Sequence, residues 1–533
     1  MLDNIPILSL LVFSPIVGIL ALLFIRSENG RLLRIVGTAG TALPLLLAIW
    51  LFSGFDFGGG RQFAEQAVWV HLPLPTEFVP GGVQYYLELG YSLSVDGISL
   101  ALVFLTALIS TMAALASFSH IKKRWKAFYI WFLVMEIGML GVFTAQDLFL
   151  FFIFFEMTLV PLFFLIGIWG YKEREKTANK FLIYNGIGSA FMLLAFIMMI
   201  TTGGFEIRET ANSADYVYTS SMETIMHNMV SADSYVNSAA YAQSPFHLDE
   251  GTLVLIFFLL LLAFGIKLPI FPFHTWMLKV HTEAAPSVVM LHSGILLKIG
   301  AYGLIRFGMQ FFPEQIERYA LLIAVLGVIN VLYGAVLALV QSDFKLVLAY
   351  SSISHMGIVL LGIASLSEIG VKGAIFQMVS HGFISALMFL LVGSFYERTE
   401  TTALEKLGGL AKSMPFMSSI LLTAGLALLG LPGLSGFISE FLVFVGLFDT
   451  RPVLTVLGVL GLILASAYVL RSVLRITYGS MDARFAEVKD ARLIEAIPMI
   501  ILVAFIVLIG IYPAVLSETI GTAVTDIING IGG

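Results

Sequence analysis

Fourteen apolar runs, each close to the length that carries a helix across a bilayer, constrain this chain more than any other feature. A hydrocarbon core of about 30 Å needs roughly 20 helical residues. Runs meeting that need lie near 5–25, 32–53, 96–118, 126–144, 147–170, 180–202, 251–275, 284–309, 319–340, 345–366, 372–396, 416–445, 453–478 and 496–515. They are continuous rather than alternating, and a helix satisfies its own backbone in lipid. The reading is therefore an all-α polytopic membrane protein with about 14 transmembrane helices, and a β-barrel is excluded. Composition agrees: 12% of residues are charged, against about 25% in soluble domains. The first run has no basic leader and no small-residue cleavage site, so it is expected to stay as a helix.

The loops alternate in charge. One side holds Arg26, Arg31 and Arg34, then Lys122, Lys123, Arg124 and Lys126, then Lys172, Arg174, Lys176 and Lys180. Lys279, Lys345, Arg398, Lys406, Lys412, Arg484, Lys489 and Arg492 follow on that side, whereas the other has Arg61, Arg208, Arg318, Lys372 and Arg451. The positive-inside rule makes the richer side cytoplasmic and sends both termini outward, in a bacterial-type inner or plasma membrane. Basic residues in short groups between spans argue against a nucleic-acid partner. Two outward loops are long. Residues 54–95, with Gly58, Gly59, Gly60, Pro73, Pro75 and Pro80, read as ordered but irregular. Residues 203–250, polar and acidic, read as a partly flexible insertion.

Two spans are punctuated: the seventh by Gly265, Pro269 and Pro272, the twelfth by Gly430, Pro432, Gly433 and Gly436. Proline frees a carbonyl and glycine permits close approach, so such breaks mark cavities as well as kinks. Their spacing of five spans fits two inverted five-helix repeats. The expected organisation is an N-terminal three-helix region (1–118), a first repeat (126–309), a second repeat (319–478) and a last helix (496–515).

Ionisable side chains lie inside these apolar runs. A charge at bilayer depth costs at least about 2.5–3.5 kcal/mol on insertion scales, so several together point to an ion or proton path. Glu156 follows the apolar stretch 148–155, and Glu136 lies one span earlier. Lys267 stands beside the first break and Lys298 in the middle of the eighth span. Moving a carboxylate, or water, near such a lysine switches it between holding and releasing its proton; arginine could not do this. His355 and His381 can donate and accept without a full charge. His292, six residues before Lys298, could line the same cavity, and His274 and His281 lie near the cytoplasmic mouth of the seventh span. Glu440, beyond the second break, could finish the relay. The alternative for each is a static buried pair that specifies packing. Cysteine is absent, which removes thiolate metal sites and cysteine-held iron–sulfur clusters.

FFEMTLVPLFFLIG around Glu156, LAFGIKLPIFPFHTW at 262–276, HTEAAPS and LHSGILLKIGAYGLIRFG within 281–308, FKLVLAYSSISHMG at 344–357 and LPGLSGFISEF at 431–441 carry a resemblance. Over nearly its whole length the chain resembles the antiporter-like membrane subunits of NADH–quinone oxidoreductase (complex I), in particular the subunit M type. The resemblance implies a proton-translocating subunit with broken seventh and twelfth helices. It implies Glu156 and Lys267 as an acid–lysine pair, Lys298 as the central lysine, His355 and His381 as relay positions, and Glu440 as the terminal group. Glutamate at 440, where L-like and N-like subunits usually carry lysine, is similar to the M-type pattern. NADH, FMN, iron–sulfur clusters and quinone are then expected in partner subunits and none in this chain, with the L-like and N-like subunits and the redox peripheral arm as partners. A subunit of a multisubunit Na+/H+ antiporter or a membrane-bound hydrogenase is the competing reading.

Overall fold

The fold is known from a computed structural model that describes residues 5–74, 84–209, 214–231, 233–238, 244 and 246–532. Its first half contains α1 (Ile7–Phe13), α2 (Pro15–Phe24), α3 (Gly30–Ser53), α4 (Gly97–His120), α5 (Trp125–Thr144), α6 (Leu148–Trp169), α7 (Arg174–Thr201) and the short α8 (Met222–Val230). Then come α9 (Glu250–Lys267), α10 (Thr275–Glu283), α11 (Pro286–Leu291) and α12 (Leu297–Gly303). π-helical turns at His292–Leu296 and Leu304–Met309 join α11 to α12 and extend it. The second half contains α13 (Pro313–Val340), α14 (Phe344–Ala364), α15 (Glu368–Thr399), α16 (Pro415–Leu428), α17 (Ser435–Phe448), α18 (Pro452–Thr477), α19 (Leu493–Ile511) and α20 (Ala514–Gly532).

Thirteen segments among the described residues are long and apolar enough to cross a membrane, α1 and α2 counting as one. The interrupted pair α16–α17 supplies the fourteenth expected span. Several helices outrun their apolar stretches: α7, α13 and α15 begin at Arg174, Pro313 and Glu368. Their first turns are polar, so hydropathy placed the starts too late. The bundle is layered. The eighth span (Pro286–Met309) and α15 are enclosed on all sides, with α4 and α14 nearly so, while α2, α3, α18 and α19 turn large apolar side chains outward.

The two long loops depart from expectation. Both enter one four-stranded sheet, β1 (Gln62–Pro73), β2 (Tyr85–Val95), β3 (Phe205–Glu209) and β4 (Ala214–Thr219), in the order β1-β2-β4-β3. β2 pairs antiparallel with β1 and parallel with β4. The first loop is thus regular, not irregular, and the second is anchored through β4, with Tyr85 stacked 5.1 Å from Tyr216. Aromatic and β-branched residues in YYLELGYSLSV and ADYVYT carry this preference, which a search for helical spans passes over. Pro75 and Pro80 lie outside the described residues, as do 210–213, 232, 239–243 and 245 of the second loop. The amphipathic α20, beyond the last predicted span, was also not anticipated. It buries Leu516, Ile520, Val524 and Ile527 and packs across the sheet-bearing end of α4.

Both breaks occur where proline and glycine predicted them. α9 ends at Lys267 and α10 starts at Thr275. The freed groups are satisfied from inside the protein: Trp276 Nε1 donates to Ile266 O at 3.1 Å, and Phe271 N donates to Asn330 Oδ1 of α13 at 2.8 Å. That is the requirement lipid imposes on interrupted backbone. Between α16 and α17, Gly430 and Gly433 take φ of +76° and +92°, a region that glycine enters without the steric penalty of a Cβ.

Candidate functional site

The eighth span and α15 cross at their glycines. A Cβ on Gly382 would lie 3.0 Å from Gly294 O and 2.9 Å from Leu105 Cδ2, so the close approach depends on a bare Cα. Beyond this crossing, Lys298 Nζ donates to the Ser293 carbonyl and lies 2.8 Å from His381 Nδ1. Lys298 is fully buried. His381 stands 5.3 Å, centroid to centroid, from the ring of His355 on α14. His355 Nδ1 is in turn 3.0 Å from Gln377 Nε2 and 3.6 Å from Glu440 Oε1. Ser439 donates to Gln377 Oε1, and Ser380 and Ser435 share a hydroxyl contact of 2.7 Å. Lys298, His381, His355 and Glu440, which the sequence scattered over 143 positions, thus form one polar track from the eighth span through α15 and α14 to α17, with Glu440 the far member. Glu440 Oε1, His355 Nε2 and His381 Nε2 are buried without a hydrogen-bond partner.

A second group lies around the first break. Lys267 Nζ has no hydrogen bond and sits over the rings of Phe155 at 4.8 Å and Phe181 at 6.0 Å. Glu156, next to Phe155 on α6, is the carboxylate whose charge acts on Lys267, without an ion pair at contact distance. Phe181 also packs edge-on to His292 at 6.4 Å. His292 Nδ1 is 2.9 Å from His281 Nε2, so α10 and the eighth span meet through two imidazoles. His292 therefore belongs to a histidine pair at the break. His274 bonds Tyr333 at 3.2 Å instead. Glu136 is wholly buried on α5, both carboxyl oxygens are without partners, and no hydrogen bond or ion pair ties it to the other groups.

Several contributors escaped the sequence reading. Gln377 precedes His381 by one helical turn, and Ser435 and Ser439 lie one turn apart beside Glu440; this i, i+4 spacing of polar residues in apolar helices was the available signal. Lys345, read as a loop cation, is buried, with Nζ 3.9 Å from the Tyr171 ring and 5.0 Å from that of Tyr396. Arg306 is a further buried cation of the eighth span. Its Nη2 donates to Asp96, which caps α4 by accepting from Ile98 N and Ser99 N at 3.1 and 3.0 Å. Burial pushes the Asp96 carboxyl up, but the Arg306 guanidinium beside it outweighs that and holds it below the usual range. Among the described residues, no group of three or more His, Cys, Asp or Glu is arranged to hold a metal ion.

Residues 145–465 match the family described as NADH:quinone oxidoreductase/Mrp antiporter, TM, and residues 76–144 match NADH-ubiquinone oxidoreductase chain 4, amino terminus. Chain 4 1 of the NAD(P)H-quinone oxidoreductase of Synechococcus elongatus is 37% identical over 542 residues, spanning 98% of this chain and 91% of that protein. The chain belongs to the chain 4/M-subunit family of NADH–quinone oxidoreductase. Another relative, NADH-quinone oxidoreductase subunit M of Rhodobacter capsulatus, is 34% identical over 98% of this chain and 96% of its own length. A chain in the solved structure of respiratory complex I from Thermus thermophilus with bound NADH superposes with a TM-score of 0.81. It is 28% identical and covers 99% of this chain and 100% of its own. As a chain 4/M-family member this protein is a proton-translocating membrane subunit of the complex I/Mrp antiporter type.

Proposed function

We propose that protons cross this chain along the polar track, from Lys267 and the His292–His281 pair to Lys298, then His381, His355 and Glu440, while NADH oxidation and quinone reduction proceed in partner subunits. The contact between Lys298 Nζ and His381 Nδ1 carries this reading: it joins an amine that can lose a proton to a ring that can take one up and release it from its other nitrogen. Glu156 tunes Lys267 through space, and the two aromatic rings over its ammonium hold it without a fixed counter-ion. Glu136 is a further carboxylate of the intake half. The basic loop face is cytoplasmic, both termini lie outward, and residues 126–309 and 319–478 act as two inverted halves, each built around one broken helix. The neighbours are L-like and N-like antiporter subunits, with the redox arm beyond them.

The test is Lys267→Ala in the assembled complex, reconstituted in vesicles and driven by NADH and a soluble quinone. Electron transfer with proton uptake reduced roughly 10–100-fold is the expected result; normal uptake per assembled complex removes Lys267 from the path. Purification in mild detergent separates the competing assignment. Recovery only with small antiporter subunits, without flavin- and iron–sulfur-bearing partners, would make the chain part of a Na+/H+ exchanger.

A further inference from the structure

The sheet-bearing face holds a cavity of about 960 Å3, bounded in part by Arg61, Asp96, Gln146, Glu223, Gln310 and Asp526. A narrower void continues inward from it, sharing Arg61, Gln146 and Gln310 and ending on Tyr302 and Arg306. Lys298, Tyr302 and Arg306 are spaced four apart along the eighth span, so Arg306, which lines the void, stands about two turns along the helix from the central lysine. Arg306 is only 6% exposed. One nitrogen, Nη2, serves Asp96 and Ser99 Oγ, the latter at 3.2 Å, while Nε and Nη1 have no partner. The guanidinium lies 5.2 Å over the Tyr302 ring, and Tyr302 Oη is 3.0 Å from the same Ser99 hydroxyl. Arg61 adds a second positive charge close enough to act on Arg306, with Asp96 and Glu223 the carboxylates that act on it. The larger cavity is lined by Asp96, Glu206, Glu223 and Asp526 together with Arg61, and the narrower void by Arg61 and Arg306 without a carboxylate.

We propose that Arg306, fixed by Asp96 and Tyr302, is an electrostatic seal: it keeps a proton at Lys298 from escaping along the eighth span into this cavity, so that it passes to His381. The proposal rests on the path proposed above. A guanidinium does not lose its proton in a protein, and a fixed positive charge at a constriction repels protons and other cations, as in water-selective pores. Arg306 lines the void with two N–H groups left without protein partners, so the apolar side chains beside it do not make the constriction fully dry and its charge supplies the remaining barrier. Arg306 is a positioning residue here: it steers the proton without carrying it.

The test uses the complex in vesicles with a pH step imposed, the potential clamped by potassium and valinomycin, and no NADH present. Arg306→Gln is expected to raise passive proton leak per assembled complex on the order of tenfold, whereas Arg306→Lys stays tight. Asp96→Asn still caps α4 and leaves the positive charge in place, so it also stays tight. A leak in Asp96→Asn equal to that in Arg306→Gln would overturn the proposal, because a broken ion pair alone would then open the route. In Lys298→Ala/Arg306→Gln the extra leak should vanish; if it persists, the route does not run through Lys298. Arg306→His offers a check within one protein, tight at pH 5.5 and leaky at pH 8, and an equal leak at both pH values rules out a charge barrier. A tight Arg306→Gln membrane removes the seal alone, while normal NADH-driven pumping in Lys298→Ala removes the path through Lys298 on which it rests.

Discussion

Lys298 Nζ lies 2.8 Å from His381 Nδ1, and its second acceptor is a main-chain carbonyl, that of Ser293. With the amine donating, Nδ1 is the acceptor and the ring hydrogen sits on Nε2, which has no partner. A proton given to Nδ1 can therefore leave from the opposite side of the ring.

His381→Asn keeps an acceptor near the Nδ1 position but has no second nitrogen to release a proton. The complex should assemble and oxidise NADH, with vesicle acidification reduced roughly 10–100-fold. Acidification at the wild-type rate would mean that protons bypass this ring.

Lys298→Arg keeps the charge and loses the ability to give it up. Uptake should fall by a similar factor, about 10–100-fold, despite the conservative look of the change. Restored pumping in this variant would argue that position 298 needs only a fixed cation.

Gly430 is pressed against Glu440: a Cβ there would come within 2.3 Å of Oε2, at a φ of +76°. Gly430→Ala should cost about 1–2 kcal/mol in backbone strain and push the carboxyl away from His355. The expected outcome is a pumping defect equal to that of Glu440→Gln, read in the same acidification assay, with assembly retained on native gels. A stable variant that pumps normally would detach Glu440 from its present position.

Asp96 offers a pH test. Its carboxyl is held low by Arg306, so the stability it contributes is fully present above the unfolded value of about 3.9 and is lost only as pH falls through the lower folded value. The destabilisation of Asp96→Asn, followed by proteolysis of the detergent-solubilised complex, should be constant from pH 8 to pH 5. A difference that shrinks within that window would place the titrating group elsewhere.

Most of the helical plan was legible because hydropathy reports burial in lipid directly, and Pro269, Pro272, Gly430 and Gly433 mark their breaks by backbone chemistry alone. The rarity of charge in apolar runs picked out Lys298, His355, His381 and Glu440. What stayed hidden depends on partners distant in sequence. Asn330 completes a break 59 residues away from it, at Phe271, and nothing in its own helix announces that. Arg306 meets Asp96 across 210 residues. The sheet was missed because its strands lie in two separate loops: each makes an antiparallel pair of its own, and only the parallel β2–β4 pairing across more than a hundred residues joins them.

That sheet also sets an order of events while the chain is being made. Tyr85 to Glu88 of β2 pair with Tyr216 to Thr219 of β4, and Ser220, which closes onto the Glu88 carbonyl, follows it by 132 residues. At about 5–20 residues per second, synthesis leaves one edge of β2 open for roughly 7–26 s. An unpaired edge is a template for any other extended strand nearby. For that interval the β1–β2 hairpin must be sheltered by the helices already inserted or by a chaperone, and a slowed ribosome would prolong its exposure.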